Sequence, residues 1–264
     1  MNSKVLSIML VICLFAGPVS FADRTWGQPA SAINHDWQEP DAGKMWAIGT
    51  AWSFDGVSIL YREYHYAEDP AHDLPTRVLY RKPDGELIAE KSIDYSASVI
   101  SPAISQKDYR NNSVVTTEHP LERGARLIRV GYQAHDSERL RSRDVTSRDS
   151  LIVDAGFDPY VRQNWEALTG GQSVTTSFLV PARLDSVRIS ISPTEPEDCR
   201  AAAAPVHCFI IRPAGLLRMV SWFVDPIHIA YHPESRRLKS FAGLSNLRDD
   251  AGEPLNVLIR FEYL

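Results

Sequence analysis

Cysteine is scarce in this chain, with three in 264 residues. Positive charge is not in surplus either: 28 Lys and Arg stand against 33 Asp and Glu, a formal net charge of -5. A nucleic-acid-binding surface replaces phosphate counterions with Lys and Arg, so this balance argues against that class of partner. Long apolar runs are absent after the first fifteen residues, and no later segment approaches the roughly 20 residues of a bilayer-spanning helix. No Gly-x-Ser-x-Gly elbow, Ser-x-x-Lys, His-Glu-x-x-His, phosphate-cradling glycine loop or dinucleotide fingerprint occurs, so no cofactor is expected. No repeat of fixed period is found. What remains, 44% hydrophobic and 23% charged residues, is the composition of a folded globular chain.

The chain opens with Lys4, an eleven-residue apolar run from Val5 to Phe15, and small residues at Ser20 and Ala22 before the polar Asp23. This order reads as a signal peptide over residues 1–22, cleaved after Ala22, and places the mature protein in the periplasm. Cys13 raises the alternative of a lipoprotein signal, but Ile12 precedes it where a small residue is usual, and the apolar run continues past it. Cys199 and Cys208 are then the two cysteines of the mature chain. In an oxidising compartment a close pair of this kind forms a disulfide, here across a weakly specified, alanine-rich loop. Redox or metal roles fit less well, because Cys-x-x-Cys spacing is absent and only His207 lies alongside.

Residues 23–264 read as a single β-rich domain. Its opening segment, 23–56, holds Trp26, Trp37, Trp46 and Trp52 among glycines and prolines and reads as loop-rich. Strands are expected at 57–66, 113–117, 126–133, 142–146, 173–180, 186–192, 207–212, 227–231, 237–241 and 256–263. The strongest local signal is a hairpin in which 77–82 and 86–95 flank Pro83-Asp84-Gly85. Val187, Ile189 and Ile191 alternate with Ser186, Arg188, Ser190 and Ser192, the pattern of a strand with one wet face. Two segments break this period. Asp158 and Pro159 suit a helix start, with Val161, Trp165 and Leu168 on one stripe before Gly170 and Gly171. The run 214–224, bracketed by Pro213 and Pro226, is apolar on nearly every side and favours a buried helix over a central strand.

About ten strands with one or two short helices describe a mainly β fold: a curved antiparallel sheet or incompletely closed β-barrel, with a two-sheet sandwich as the alternative. With its signal peptide, strand meander and apolar 214–224 run, the chain resembles the unclosed-barrel periplasmic carriers of lipoproteins and lipids. That resemblance implies a bent sheet holding a hydrophobic cavity lidded by helices. Gly243-Leu244-Ser245-Asn246, preceded by Arg236-Arg237-Leu238, resembles the final strand-turn-strand of uncharacterised secreted bacterial β-rich proteins, which implies location and fold rather than an activity.

Several groups of residues invite chemistry. Glu63 and His65 share a strand face, and Glu68, Asp69, His72 and Asp73 follow in the next loop as further oxygen and nitrogen donors for a metal. A solvated acidic loop explains them as well. His228 and His232 near Asp225 form a weaker set. Asp154 and Asp158 are a carboxylate pair of the kind used on glycosides, although capping of a helix accounts for Asp158. Arg139, Arg141, Arg143 and Arg148 interleave with Asp136, Glu138, Asp144 and Asp149, which reads as a salt-bridged face. Val161, Trp165, Leu168, Leu216, Leu217, Val220, Trp222 and Phe223 are the candidates to line a hydrophobic ligand site, or else to form core. The function expected is non-catalytic binding of a hydrophobic or envelope-derived ligand. The alternatives are an envelope protein that binds a partner protein without a ligand, and a hydrolase of envelope material.

Closing a loop of about ten residues contributes about 2.5 to 3 kcal/mol in the chain-entropy account of disulfides. Replacing both Cys199 and Cys208 by Ser is therefore expected to lower unfolding stability by that amount, read from the urea midpoint; an unchanged midpoint would show that the pair is not bridged.

Overall fold

A computed structural model describes residues 44–120, 127–135, 137–146, 150–201, 205–215 and 225–264. The sheet belongs entirely to the unit Pro40–Leu264; the expected signal peptide and most of the tryptophan-rich opening segment lie outside the described residues. Residues 216–224, the greater part of the expected apolar helix, also lie outside them.

The chain forms β1 (Met45–Ser53), β2 (Ile59–Tyr66), β3 (Arg77–Arg81), β4 (Leu87–Asp94), β5 (Ala103–Asp108), β6 (Val114–Glu118), β7 (Leu127–Gln133) and β8 (Arg141–Thr146). It then makes β9 (Leu151–Ile152) and two short helices, α1 (Phe157–Gln163) and α2 (Trp165–Thr169). The return consists of β10 (Val174–Val180), β11 (Asp185–Thr194), β12 (His207–Pro213), β13 (Ile227–Tyr231), β14 (Leu238–Arg248) and β15 (Pro254–Tyr263). All fifteen strands belong to one sheet, ordered β8-β7-β6-β5-β4-β3-β2-β1-β15-β14-β13-β12-β11-β10-β9. Neighbours are antiparallel except β9, which runs parallel to β10 through Ser177↔Leu151 and Phe178↔Ile152. The sheet curls into a nearly closed barrel with one unsealed seam, between β8 and the β9–β10 edge. The Cys199–Cys208 disulfide forms, with its Cα atoms 6.2 Å apart.

Three strands escape the sequence pattern, each for a physical reason. β1 contains Gly49 in a segment rich in glycine and tryptophan, yet a side chain there has no room: a Cβ would lie 2.9 Å from Phe261 Cε1 and 3.2 Å from Glu63 Oε2. The glycine permits close contact across β15, β1 and β2 without breaking the strand. β5 hides because Gln106 and Asp108 occupy the same face as Ile104, so its buried side is polar. β9 has two residues and no period to read. Elsewhere the expected strands form, the Pro83-Asp84-Gly85 hairpin among them. Gly243–Asn246 is not a turn between strands: it lies within β14, where pairing with β15 is interrupted between Leu244 and Arg248.

Eight strands already give a barrel whose wall side chains fill its interior, and fifteen leave more space than wall residues alone can occupy. Two insertions help to fill it. The irregular stretch of β14 turns Leu247 inward, where it is 1% exposed and joins a cluster that includes Ala51, Tyr61, Tyr80, Ile88 and Val130. At another part of the wall, α1 and α2 bring Tyr160, Val161, Trp165 and Leu168 against Ile189, Ile191, Phe209, Ile229 and Tyr231. The first cluster also joins Val145 of β8 to Leu151, Val153 and Leu179, so side chains meet across the seam even though backbones do not pair. Arg143 and Asp185 add an ion pair between β8 and β11 at 3.8 Å. Both groups are largely exposed, so this contact is a weak clasp.

The turn that leads into α1 depends on Gly156. A Cβ there would lie 2.1 Å from the carbonyl oxygen of Ile100, a backbone atom that no side-chain rotation can move aside. Val153 N–H donates to the same carbonyl at 3.0 Å, which fixes the two segments together. Gly156→Ala is expected to cost at least about 2 kcal/mol, as overpacking against a fixed group does. Urea denaturation checks this, and a midpoint equal to that of the parent would show that the 95–102 loop can retreat.

Candidate functional site

Strand alternation places Glu63, Lys91, Gln106 and Asp108 on the inward side with Tyr61, Ala89, Ile93 and Ile104, and all four polar residues are buried. Buried charge is costly unless paired. Lys91 Nζ meets Asp154 Oδ1 at 2.6 Å, beneath α1, and lies 5.9 Å from the Tyr80 ring centroid. Glu63 Oε2 and His65 Nε2 are 3.0 Å apart, and the His65 ring is held edge-on by Trp46 and Phe261. Arg110 donates to both oxygens of Asp108, to Asp250 and to the carbonyl of Arg248. Asn246 Nδ2 donates to Tyr80 Oη at 3.0 Å and to Gln106 Oε1 at 3.2 Å, while Ser245 Oγ lies 2.8 Å from Tyr61 Oη. Burial pushes the Tyr61 and Tyr80 phenols well above their ordinary range, so both remain neutral hydrogen-bonding groups.

A second network surrounds α1. Asp73, with left-handed backbone at the end of the Pro70–His72 turn, accepts from Trp46 Nε1 at 3.1 Å and from Arg237 Nη2 at 2.8 Å. Arg162 reaches the other oxygen of Asp73 at 3.4 Å and also binds Asp158, one turn earlier on α1. The Tyr231 hydroxyl faces Asp158 as well. Burial raises the Asp158 carboxyl above the usual carboxylate value, and the Arg162 guanidinium only partly opposes that shift. The network ties α1 to three distant parts of the wall: β1, the β2–β3 connection and the approach to β14.

These contacts decide the candidates read from sequence. Asp158 is not a helix cap; Gly156 occupies the cap position and Asp158 lies within α1, bound to Arg162. Asp154 and Asp158 are engaged by different cations and do not form a facing carboxylate pair. The metal set disperses: Glu68 is exposed, Asp69 caps the Pro70–His72 turn by accepting from Ala71 N–H, and Asp73 binds arginines. No group of three metal-ligating side chains occurs among the described residues. His232 Nδ1 accepts from Ser235 N–H in a turn, away from the sheet position of His228. Asp144 pairs with Arg129 of β7, and Arg143 with Asp185; Asp136, Arg148 and Asp149 lie outside the described residues.

Of the apolar set, Val161, Trp165 and Leu168 are 0%, 5% and 0% exposed within the helix–sheet core. Leu216, Leu217, Val220, Trp222 and Phe223 lie outside the described residues. Beside α2 is a cleft of about 200 Å³, with Leu168, Thr169, Val206, His207 and Phe209 in its lining. The Asp73 and Lys91 networks were missed by sequence reading because their members are far apart along the chain; the only local signal was the i, i+4 spacing of Asp158 and Arg162.

No protein-family model, no curated protein and no solved structure matches this chain.

The raised Asp158 carboxyl has a thermodynamic consequence. The folded chain holds this proton more tightly than the unfolded chain, so this group's contribution to stability falls as pH rises from about 3.8 through its folded value. Asp158→Asn removes that slope. The difference between the urea midpoints of variant and parent should therefore change as pH rises above about 3.8 and level off once the folded carboxyl has ionised; parallel curves would place the Asp158 titration at its ordinary value.

Proposed function

We propose that the protein is an exported, non-catalytic binding protein of the periplasm, one that recognises an envelope component or partner through its outer surface. The observation that carries this reading is that the charged groups of the interior networks described above pair with one another. Lys91 is spent on Asp154, Arg162 on Asp158 and Asp73, Arg110 on Asp108, and Glu63 on His65. A catalytic acid, base or nucleophile needs a group aimed at space where a reacting atom can sit. These groups are aimed at each other, and their pairing rigidifies a wall that would otherwise surround too much volume.

The disulfide supports export, since such bridges persist in oxidising compartments. The opening Lys4 and Val5–Phe15 run supports the same address. An acyl chain needs a pocket of about 300 Å³ or more. Val161, Trp165 and Leu168 are instead packed against sheet residues, and the cleft beside α2 is smaller than that. Among the described residues, these features favour recognition at the surface over carriage of hydrophobic cargo beside α1 and α2.

Native mass spectrometry of protein purified from the periplasm without detergent tests this reading. The expected species begins at Asp23, weighs about 2 Da less than the fully reduced chain, the loss for one disulfide, and carries no lipid-sized adduct. A lipid-sized mass released on denaturation would overturn it in favour of an apolar carrier, and an uncleaved chain recovered from the cytoplasm would overturn the export.

A further inference from the structure

The outer face of the sheet holds a group of residues that the interior pairs do not include. On β13, Ile229 and Tyr231 point into the helix–sheet core, so His228 and Ala230 point outward. His228 nevertheless is only 6% exposed, and its Nδ1 is buried with no hydrogen-bond partner. Part of its cover is the disulfide-tied loop. Cys199 and Ala201 pack on Ala230 and Ala242, and Ala242 is the cross-strand partner of His228. Ser240 Oγ donates to the carbonyl of Ala201 and pins the loop there.

Arg200 stands between those two anchored residues. Its guanidinium lies over the Phe54 ring, 4.8 Å from the centroid. A guanidinium held over a ring keeps those of its N–H groups that point away from the ring available. Arg212 approaches from the other side: Ile210 pairs with His228, so Arg212, two residues further along β12, is a diagonal neighbour on the same outward face. Both arginines are exposed, and neither pairs with an acid among the described residues. Burial first, and then the charges of Arg212 and Arg200, hold the imidazole below its ordinary protonation range, so both cations lie within electrostatic reach of it.

Two guanidiniums that pair with no acid among the described residues, beside a buried ring nitrogen without a partner, form an incomplete arrangement. We propose that Arg200 and Arg212, beside the covered His228 ring, form an oxyanion site that takes a phosphoryl group bridged by the two guanidiniums. The guanidinium fork matches the spacing of phosphoryl oxygens, and the double positive charge matches a dianion. The disulfide has a role in this site: by tying Cys199 to Cys208 it fixes the loop that presents Arg200. The phosphoryl group is either free phosphate or the headgroup of an envelope lipid. The site is independent of the reading of the barrel interior, and its failure would leave that reading intact.

The test uses the mature, disulfide-bonded chain with ¹³C-labelled histidine, the His228 ring signal being assigned by its loss in His228→Gln. Inorganic phosphate is titrated at constant ionic strength with chloride as control, and binding to phosphatidylglycerol vesicles is compared with phosphatidylcholine vesicles. A saturable shift of the His228 signal in phosphate, weakened at least tenfold in Arg200→Gln/Arg212→Gln, supports the site and identifies free phosphate as sufficient. Arginine-dependent binding to phosphatidylglycerol alone supports the site and assigns the phosphoryl group to lipid. Absence of saturation with both probes, or equal binding by parent and double variant, overturns it. Both arginines are exposed, so the double variant should keep the parent unfolding midpoint; the single Arg212→Gln variant provides the same comparison if the loop is disturbed.

Discussion

Pairing between β1 and β15 is the contact on which the rest of the barrel depends. It runs in unbroken register from Ala47↔Tyr263 to Ser53↔Val257 and joins the two ends of the meander in the middle of the sheet. Every other ladder, the parallel one of β9 with β10 included, joins strands consecutive in sequence. Without this one ladder the chain would make two separate sheets, β1 to β8 and β9 to β15. With it, the far edges are brought round to face one another, and the single break falls where β8 hands over to β9. Such a long-range ladder is slow to form, since the loop entropy must be overcome before any of its hydrogen bonds is gained.

Closure of so many strands creates the second problem, an interior too wide for its walls. The chain fills it with Leu247 from an irregular strand, with α1 and α2, and with polar groups that reach toward the middle. Long side chains such as Lys91 and Gln106 span distance that a valine cannot, but each must arrive at a partner. Asp154 supplies the partner of Lys91 from the turn before α1, and Asn246 that of Gln106 from the irregular stretch of β14. The interior networks are therefore read most directly as the consequence of barrel size. The outer face is different: there His228 is buried while Arg200 and Arg212 are exposed and pair with no acid among the described residues.

Much of the fold was legible in local pattern. The Pro83-Asp84-Gly85 hairpin, the alternation around Val187 to Ile191 and the terminal strand all identify themselves, because a strand with one wet face must alternate. β1 and β5 did not, for opposite reasons: Gly49 is demanded by close approach of neighbouring side chains, and Gln106 and Asp108 are polar on a buried face. Helix α1 was legible in position but not in detail, because Asp158 is a frequent cap and only the fold shows that its side chain turns to Arg162. The Gly243–Asn246 segment looked like an ordinary turn; its insertion into the interior depends on Tyr61, Tyr80 and Gln106, which lie far away in sequence.

The sequence by itself determined the β-rich class and the cysteine pair, because each rests on short-range chemistry: side-chain period, turn residues and the spacing of two thiols. Only the tertiary structure decided which charges neutralise one another, which glycines have no room for a side chain, and that Arg200 and Arg212 flank His228. Those properties belong to residues brought together by sheet closure and register, and a one-residue slip in either would move every one of them to the opposite face.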